Sequence, residues 1–540
     1  MKCRVVLSAF LICLFALVLF PGRLAAQRSC ESLTTLALTN ATVMSAVSVP
    51  TGGFKPPAAP GQAAPNVDLP AFCRVAGVAR PTSDSEIKFE VWLPATGWNG
   101  KFEQVGNGGF AGTIPLSAMA LPLLRGYATA GTDDGHAASM DNSWAIGHPE
   151  KVADFGYRAV HETSVQAKAI LDAFYGKDLA RSYFVGCSDG GREGLMEAQR
   201  FPEDFIGIVA GAPANAWTHL QFAGVWNERA LHETPASSIP PSKLPVLQNA
   251  AVAACDALDG VKDGLIGNPA RCHFDPAVTQ CKDADAPNCL TAPQVEAARK
   301  IYRGARNPRT GAQIFPGYAM GAEAVPANWL IWMTGVGPGQ ATIGSTFANS
   351  FFADFVFENP KWDFRTLNFD SDVKMADAKF ASVLDSTNPN MTPFKTRGGK
   401  LIQYHGWGDA AIAPQSSVDY YESVLAKTGK RTQDFYRLFM VPGMSHCAGG
   451  LGANDFGNGV PVPHADATND VVLALDRWVE QGVAPDQIIA TGFVDGNPAK
   501  GVAMTRPLCP YPKEAHYKGA GDTNVAANFV CRMPAKGSKK

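Results

Sequence analysis

Tyr183-Phe184-Val185-Gly186-Cys187-Ser188-Asp189-Gly190-Gly191 opens as a short apolar strand, turns through glycine and serine, and runs into a helix that reaches Arg200. Its centre, Gly186 to Gly190, matches G-x-S-x-G in the strand–turn–helix context that exposes a nucleophilic serine. The glycines are needed because so sharp a turn has no room for side chains beside Ser188. The helix that follows aims its free amides and the positive end of its dipole at that serine, where negative charge would develop during acyl transfer.

Working outward, the same rhythm recurs on both sides. Ile87–Leu93 alternates as a strand, Phe102–Val105 leads into Gly106-Asn-Gly-Gly109, and Tyr127–Ala130 leads into Gly131-Thr-Asp-Asp-Gly-His136. Residues 157–175 carry helical apolar spacing, and Ile206–Gly211 is a further buried strand. The rhythm stops near Trp217 and resumes with strands at 401–405 and 436–441 and helices at 415–427 and 469–482. Strands ending in glycine-rich turns and alternating with helices predict an α/β fold with a mainly parallel sheet. The expected architecture is a core of residues 27–218 and 396–540, interrupted by a lid domain over 219–395.

A nucleophilic serine needs a base and an acid, which in the α/β-hydrolase plan follow it as acid, then histidine. Asp409, in Gly406-Trp-Gly-Asp409, directly follows the strand 401–405, at the carboxyl end where open sheets gather functional groups. His446, in Pro442-Gly-Met-Ser-His-Cys447, follows the next strand; His464 reads as surface loop and His516 as part of the C-terminal segment. Cys187 precedes Ser188 and Cys447 follows His446. A disulfide between them would hold the two loops within 4.4–6.8 Å at Cα, and closing so long a loop would add more than ~4 kcal/mol by the chain-entropy argument. Asp189 offers one backbone amide to an oxyanion, and the Gly106–Gly109 loop offers a second. Asp133, Asp134 and His136 read as structural.

The chain has 540 residues, 46% hydrophobic and 18% charged, with a formal charge of −2. That composition supports a sizeable core, excludes a mostly disordered chain and gives no basic excess for nucleic acid. Lys2 and Arg4 precede an apolar run from Val5 to Phe20, ended by Pro21 and Gly22 and followed by Leu24-Ala-Ala26. This is read as a signal peptide over residues 1–26, the run falling short of the ~20 residues a spanning helix needs. No later stretch is apolar enough to span a membrane. The mature protein is expected to be secreted or periplasmic. Ten cysteines then remain, an even number that suits five disulfides, although spacing alone leaves the pairing open. Between Cys255 and Cys272, Asp256, Asp259 and Asp263 crowd into eight residues, with Gly260 among them and Gly264 directly after. Hard cations such as Ca²⁺ are held by such oxygen donors; a solvated acidic loop is the alternative.

Gly-Cys-Ser188-Asp-Gly-Gly, Gly-Asp409-Ala and Pro-Gly-Met-Ser-His446-Cys447 together resemble the CS-D-HC motif of the tannase and feruloyl esterase family. Phe201–Pro213, Thr505–Pro512 and Tyr517–Asp522 are similar stretches, so the resemblance runs from about Cys30 to Cys531. It implies an α/β-hydrolase with a lid, hydrolysing esters of phenolic or aromatic acids of plant cell-wall or tannin origin. It implies a triad of Ser188, His446 and Asp409, with Gly108 and Asp189 as oxyanion donors. It also implies a structural calcium ion on the side chains of Asp256, Asp259 and Asp263 and the carbonyls of Val261 and Leu265, and no organic cofactor. The disulfides it implies are Cys30–Cys73, Cys187–Cys447, Cys255–Cys272, Cys281–Cys289 and Cys509–Cys531.

For the acyl group, the aromatic stretch Trp329, Trp332, Phe347, Phe351, Phe352 and Phe355 reads chiefly as lid core. Trp329 and Phe347 match family positions that contact aromatic acids. A family member that hydrolyses the monoester released from PET binds a free carboxylate with an arginine four residues before the position of Phe347. Here that residue is Ile343, which favours a ferulate or gallate ester over an aromatic dicarboxylate monoester. A serine peptidase of the same fold, or a non-catalytic binding protein on it, are the competing readings.

Overall fold

The computed structural model describes residues 28–58, 67–139, 141–459 and 465–534. The expected signal segment and His464 lie outside the described residues.

Nine strands form one mixed sheet: β1 (Ala41–Val49), β2 (Phe72–Ala79), β3 (Ile87–Pro94), β4 (Lys101–Val105), β5 (Ala128–Thr132), β6 (Arg181–Cys187), β7 (Gly207–Gly211), β8 (Lys400–Gly406) and β9 (Tyr436–Val441), in the order β1-β2-β3-β5-β4-β6-β7-β8-β9. The pairings from β5 through to β9 are parallel, and those from β1 through β3 to β5 are antiparallel. The parallel half is covered on both faces. Accordingly β7, Gly-Ile-Val-Ala-Gly, is buried at every position, whereas edge strand β1 turns Met44 and Val47 to solvent. The helix Ala159–Tyr175 packs Ala167, Ile170, Leu171 and Phe174 on one face of the sheet, and Val471–Gln481 packs Val472, Leu475 and Trp478 on the other. This is the α/β-hydrolase plan expected from the sequence.

The chain runs from β4 to β5 on one side and continues to β6 on the other. Strands β4 and β6 are therefore neighbours at a topological switch point, where open α/β sheets form their binding crevice. The Gly106–Gly109 loop and Ser188 both lie at that crevice.

The insertion lies between β7 and β8. Among the described residues it holds the helices Trp217–His232, Leu244–Cys255, Ala292–Arg303 and Ile343–Ser350. The expected boundary at residue 218 falls inside the first of these. Its run of Trp, His, Gln and Asn had hidden a helix whose buried face is spread among polar residues. The lid core, with Phe222, Phe351, Phe352 and Phe355, is continuous with Phe110, Ala410 and Ile412 of the catalytic core, so lid and crevice share one apolar interior. Beyond β9, two small antiparallel pairs (Ile488–Phe493 with Val502–Leu508, Glu514–Tyr517 with Phe529–Arg532) complete the chain. All five disulfides implied by the resemblance are present.

Candidate active site

Ser188 sits at the break between β6 and the helix Asp189–Arg200, with φ 67° and ψ −119°. A non-glycine residue in that region is strained, and the neighbouring glycines show why the turn is tolerated. A Cβ on Gly186 would meet the Gly190 carbonyl oxygen at 2.5 Å, and one on Gly190 would meet the Asn107 carbonyl oxygen at 2.9 Å. The same close approach brings in the loop after β4. Gly190 N–H donates to the Asn107 carbonyl (2.8 Å), and Asn107 N–H donates to Glu193 Oε2 (3.0 Å). The Asn107–Gly109 loop is thus drawn against the turn that carries Ser188 and Asp189. The Asp189 side chain turns inward to a fully buried ion pair with Arg192 (2.5 Å), which also donates to the carbonyls of Phe155 and Gly156. Burial pushes the Asp189 carboxyl up to about 7 against the pull of Arg192.

Ser188 Oγ donates to His446 Nε2 at 2.9 Å, and His446 Nδ1 donates to Asp409 Oδ2 at 2.8 Å. The two loops that carry the acid and the base interlock. Trp407 N–H donates to the Val441 carbonyl (2.8 Å) and Gly408 N–H to the Met444 carbonyl (2.9 Å), an approach that leaves no space for a Cβ on Gly406. The Cys187–Cys447 disulfide, 5.9 Å at Cα, ties the serine loop to the histidine loop across 260 residues of sequence.

The sequence reading passed over His405 except as a strand residue. It is fully buried at the end of β8, and its Nε2 donates to the same Asp409 Oδ2 at 3.0 Å. The network behind it sets the direction of each bond. Tyr436 hydroxyl donates to Gln403 Oε1, Gln403 Nε2 donates to Ser417 Oγ (2.6 Å), and the Ser417 hydroxyl is left to donate to His405 Nδ1 (2.7 Å). His405 Nε2 therefore carries the proton it gives to Asp409. Asp409 Oδ1 accepts from the amides of Ala411 (2.7 Å) and Ile412 (3.0 Å). Burial opposes charge on Asp409, but the charge of His446 and the hydrogen bonds from His405 and His446 hold its carboxyl well below the ordinary carboxylate range. A histidine four residues before the acid was the available signal.

A pocket opens at Ser188 and runs beneath the lid, lined by Gly109, Trp217, Tyr318, Trp332, Met333 and Phe347 among others. Phe347 is among the lining residues. Trp329 does not line this pocket; it is 1% exposed in the lid core, with its ring 5.8 Å from Tyr302. Trp332, three residues on, takes the lining position, its ring 5.3 Å from that of His446 and 6.3 Å from that of Phe347. Three residues of a π-helical segment (Leu330–Thr334) separate the two tryptophans and turn them to different faces, which spacing in the sequence does not distinguish. Ile343 is not among the lining residues. Of the remaining candidates, His516 is buried in a C-terminal strand beside Arg532, and His136 stacks on Trp144 at 3.8 Å, while Asp133 accepts from the amides of Lys88 and Gly135.

In the acidic loop, Asp256 accepts from the amides of Asp263 and Gly264, Asp259 from Val261, and Asp263 from Leu265. Arg506 pairs with Asp263 at 2.6 Å. Burial, with repulsion from Asp263 and Asp256, pushes Asp259 up to about 6. Three carboxylates against one arginine leave uncompensated negative charge on hard oxygen donors, a set whose chemistry fits a Ca²⁺ ion. The three carboxylates do not form a group converging within 4.8 Å of one another, so the loop would draw inward around an ion.

The family model described as tannase and feruloyl esterase matches residues 73–532. The chain is 44% identical to an uncharacterised esterase of Xanthomonas campestris pv. campestris, over 95% of this chain and 92% of that one. It is 34% identical to the mono(2-hydroxyethyl) terephthalate hydrolase of Piscinibacter sakaiensis, over 86% and 85%. Among solved structures it is similar to feruloyl esterase B from Aspergillus oryzae, with a TM-score of 0.85 and 31% identity over 93% of this chain and 99% of that one.

Proposed function

The chain belongs to the tannase and feruloyl esterase family of carboxylic-ester hydrolases, and from that premise we propose that it hydrolyses esters of aromatic, phenolic acids through a Ser188–His446–Asp409 triad and an acyl-enzyme. The observation that carries this reading is the unbroken hydrogen-bonded line from Ser188 Oγ through His446 to Asp409 at the mouth of an aromatic-lined pocket.

Ser188 Oγ attacks the ester carbonyl carbon and passes its proton to His446 Nε2. Asp409 keeps the imidazole oriented and stabilises its charged form. The tetrahedral oxyanion is held by the amides of Asp189 and Gly108, with the helix dipole behind them. The C–O bond to the alcohol breaks as His446 returns the proton to it. Water, deprotonated by His446, then attacks the acyl carbon and frees the acid and Ser188. Phe347 and Trp332 enclose the acyl ring. A bound Ca²⁺ would cross-link the Cys255–Cys272 loop through Asp256, Asp259, Asp263 and the carbonyls of Val261 and Leu265, stiffening the lid at a distance from the chemistry. The five disulfides suit an oxidising compartment, and no helix among the described residues is long and apolar enough to cross a membrane. Secretion or export to the periplasm is the corresponding localisation.

The test is hydrolysis of methyl ferulate and methyl gallate by the protein and by Ser188→Ala. Turnover of either ester that vanishes in the variant supports the reading, and the preferred ester decides between feruloyl esterase and tannase activity. No turnover of either ester overturns it.

A further inference from the structure

The helix Trp217–His232 turns one continuous face to the pocket: Trp217, Leu220, Gln221, Gly224, Asn227 and Glu228. These positions recur at intervals of three and four, so the face runs straight along the helix. Its beginning is anchored at the serine, because Ala214 N–H donates to the Ser188 carbonyl at 3.1 Å. Asn227 and Glu228 are therefore the far end of the pocket, about 16 Å of helical rise beyond Trp217, with side chains leaning back toward the serine.

That far end is polar and unsatisfied. Glu228 Oε1 accepts from Asn349 Nδ2 at 3.2 Å, but Glu228 Oε2 is buried and has no hydrogen-bond partner. Asn227, 5% exposed, has an equally buried Oδ1 with none, and so has Asn349. Buried oxygens are rarely left this way unless a ligand or water completes them. With Glu228 ionised all three are acceptors, so what completes them is a donor. No lysine or arginine is among the residues lining the pocket, so a free carboxylate on the acyl group would meet the Glu228 carboxyl with only the charges of Arg365 and Arg229, outside the lining and opposed by Asp363, to offset it. Burial pushes the Glu228 carboxyl up to about 7, in keeping with a site that favours a neutral partner.

We propose that this end of the pocket receives a ring hydroxyl of the acyl group, with Glu228 Oε2 accepting its hydrogen bond beside Asn227 Oδ1. The inference rests on the esterase reading above and narrows its substrate class to phenolic acids whose ring is set off from the ester carbonyl by a spacer. A hydroxycinnamoyl group extends further toward Glu228 than a hydroxybenzoyl group.

The experiment compares methyl ferulate with methyl 3,4-dimethoxycinnamate, which is the same ester with the ring hydroxyl capped by a methyl group, at a pH above the Glu228 titration. The protein, Glu228→Leu and Glu228→Gln are assayed side by side. Folding is checked by melting temperature and by fluorophosphonate labelling of Ser188. The expected result is a preference for the free hydroxyl of about tenfold or more in kcat/KM, the size of one hydrogen bond to a charged acceptor. That preference should collapse toward unity in Glu228→Leu and return in part in Glu228→Gln, which keeps an acceptor oxygen. Hydrolysis of both esters with no preference, or a preference that survives in a labelled and folded Glu228→Leu, overturns the inference and leaves the esterase reading standing. Failure of the protein to hydrolyse either ester overturns both.

Discussion

Asp409 is held by two imidazoles, and the pair divides the labour. His446 takes a proton from Ser188 and returns it to the leaving group, so the charge on its side of Asp409 changes through the cycle. His405, fully buried and locked by Ser417 and Gln403, supplies a fixed donor. It acts through Asp409 and is a positioning residue. Removing the donor with His405→Leu leaves one charged oxygen of a buried carboxylate short of a hydrogen bond, a loss of ~1.5–3 kcal/mol. The expected outcome is a fall in kcat of about 10- to 100-fold with little change in KM. His405→Gln, which can present an N–H at a similar reach, should recover part of it. Equal losses in both variants, or a change confined to KM, would count against this role. The histidine was visible in the sequence but reads there as one more residue of an apolar strand; only the fold shows that its ring turns back onto the acid four residues later.

At the scale of elements, the site is assembled where four connections meet: the turns after β4, β6, β8 and β9. Each contributes one function, and glycines let them approach within hydrogen-bond distance. The Cys187–Cys447 disulfide adds a covalent link between two of them, in the one place where serine and histidine must keep their spacing. The acidic loop is a second such element. With its carboxylates half-buried and mutually repelling, it is expected to depend on a divalent cation. Chelation with EGTA should lower the melting temperature by several degrees, added Ca²⁺ should restore it, and Mg²⁺, which demands a tighter octahedron, should do so poorly. A melting temperature that added Ca²⁺ leaves unchanged in metal-stripped protein would dismiss the ion. The spacing of Asp256, Asp259 and Asp263 was legible in the sequence; the pairing of Asp263 with Arg506, 243 residues away, was not.

Taken whole, the molecule buries many carboxyl groups among its described residues. Burial pushes Glu103 and Glu228 up to about 7 and Asp133 and Asp385 up to about 6, and it drives Asp134 and Glu197 well above the ordinary range. In the unfolded chain such groups titrate near 4. Between about pH 4 and 7 the native state therefore holds protons that the unfolded state has released, so stability falls as pH rises through that window. His136, lowered to about 4 by burial, and His516, also lowered by burial, work in the opposite sense, but they are two groups against several. The depressed Asp409 matters only below the window. The melting temperature should be higher at about pH 5 than at about pH 8, measured by calorimetry in buffers of matched ionic strength. A rising melting temperature over that range would show that these carboxyls stay ionised in the native state.

Legible in the sequence alone were the glycine-flanked elbow at Ser188, the strand–helix rhythm of the core, and Asp409 and His446 as the acid and histidine candidates that follow strands. These are local: glycine spacing, apolar periodicity and the residue at a strand's end are set within a few positions along the chain. The tertiary structure decided what depends on distant segments meeting. It put Trp332 rather than Trp329 against the triad, because a three-residue step along a π-helical segment separates lining from core. It brought His405 onto Asp409, and it stacked Asn227 and Glu228 along a helix face that becomes a pocket wall only once the lid packs on the crevice. Contacts of that kind depend on orientation and packing across the whole chain, which one-dimensional spacing does not encode.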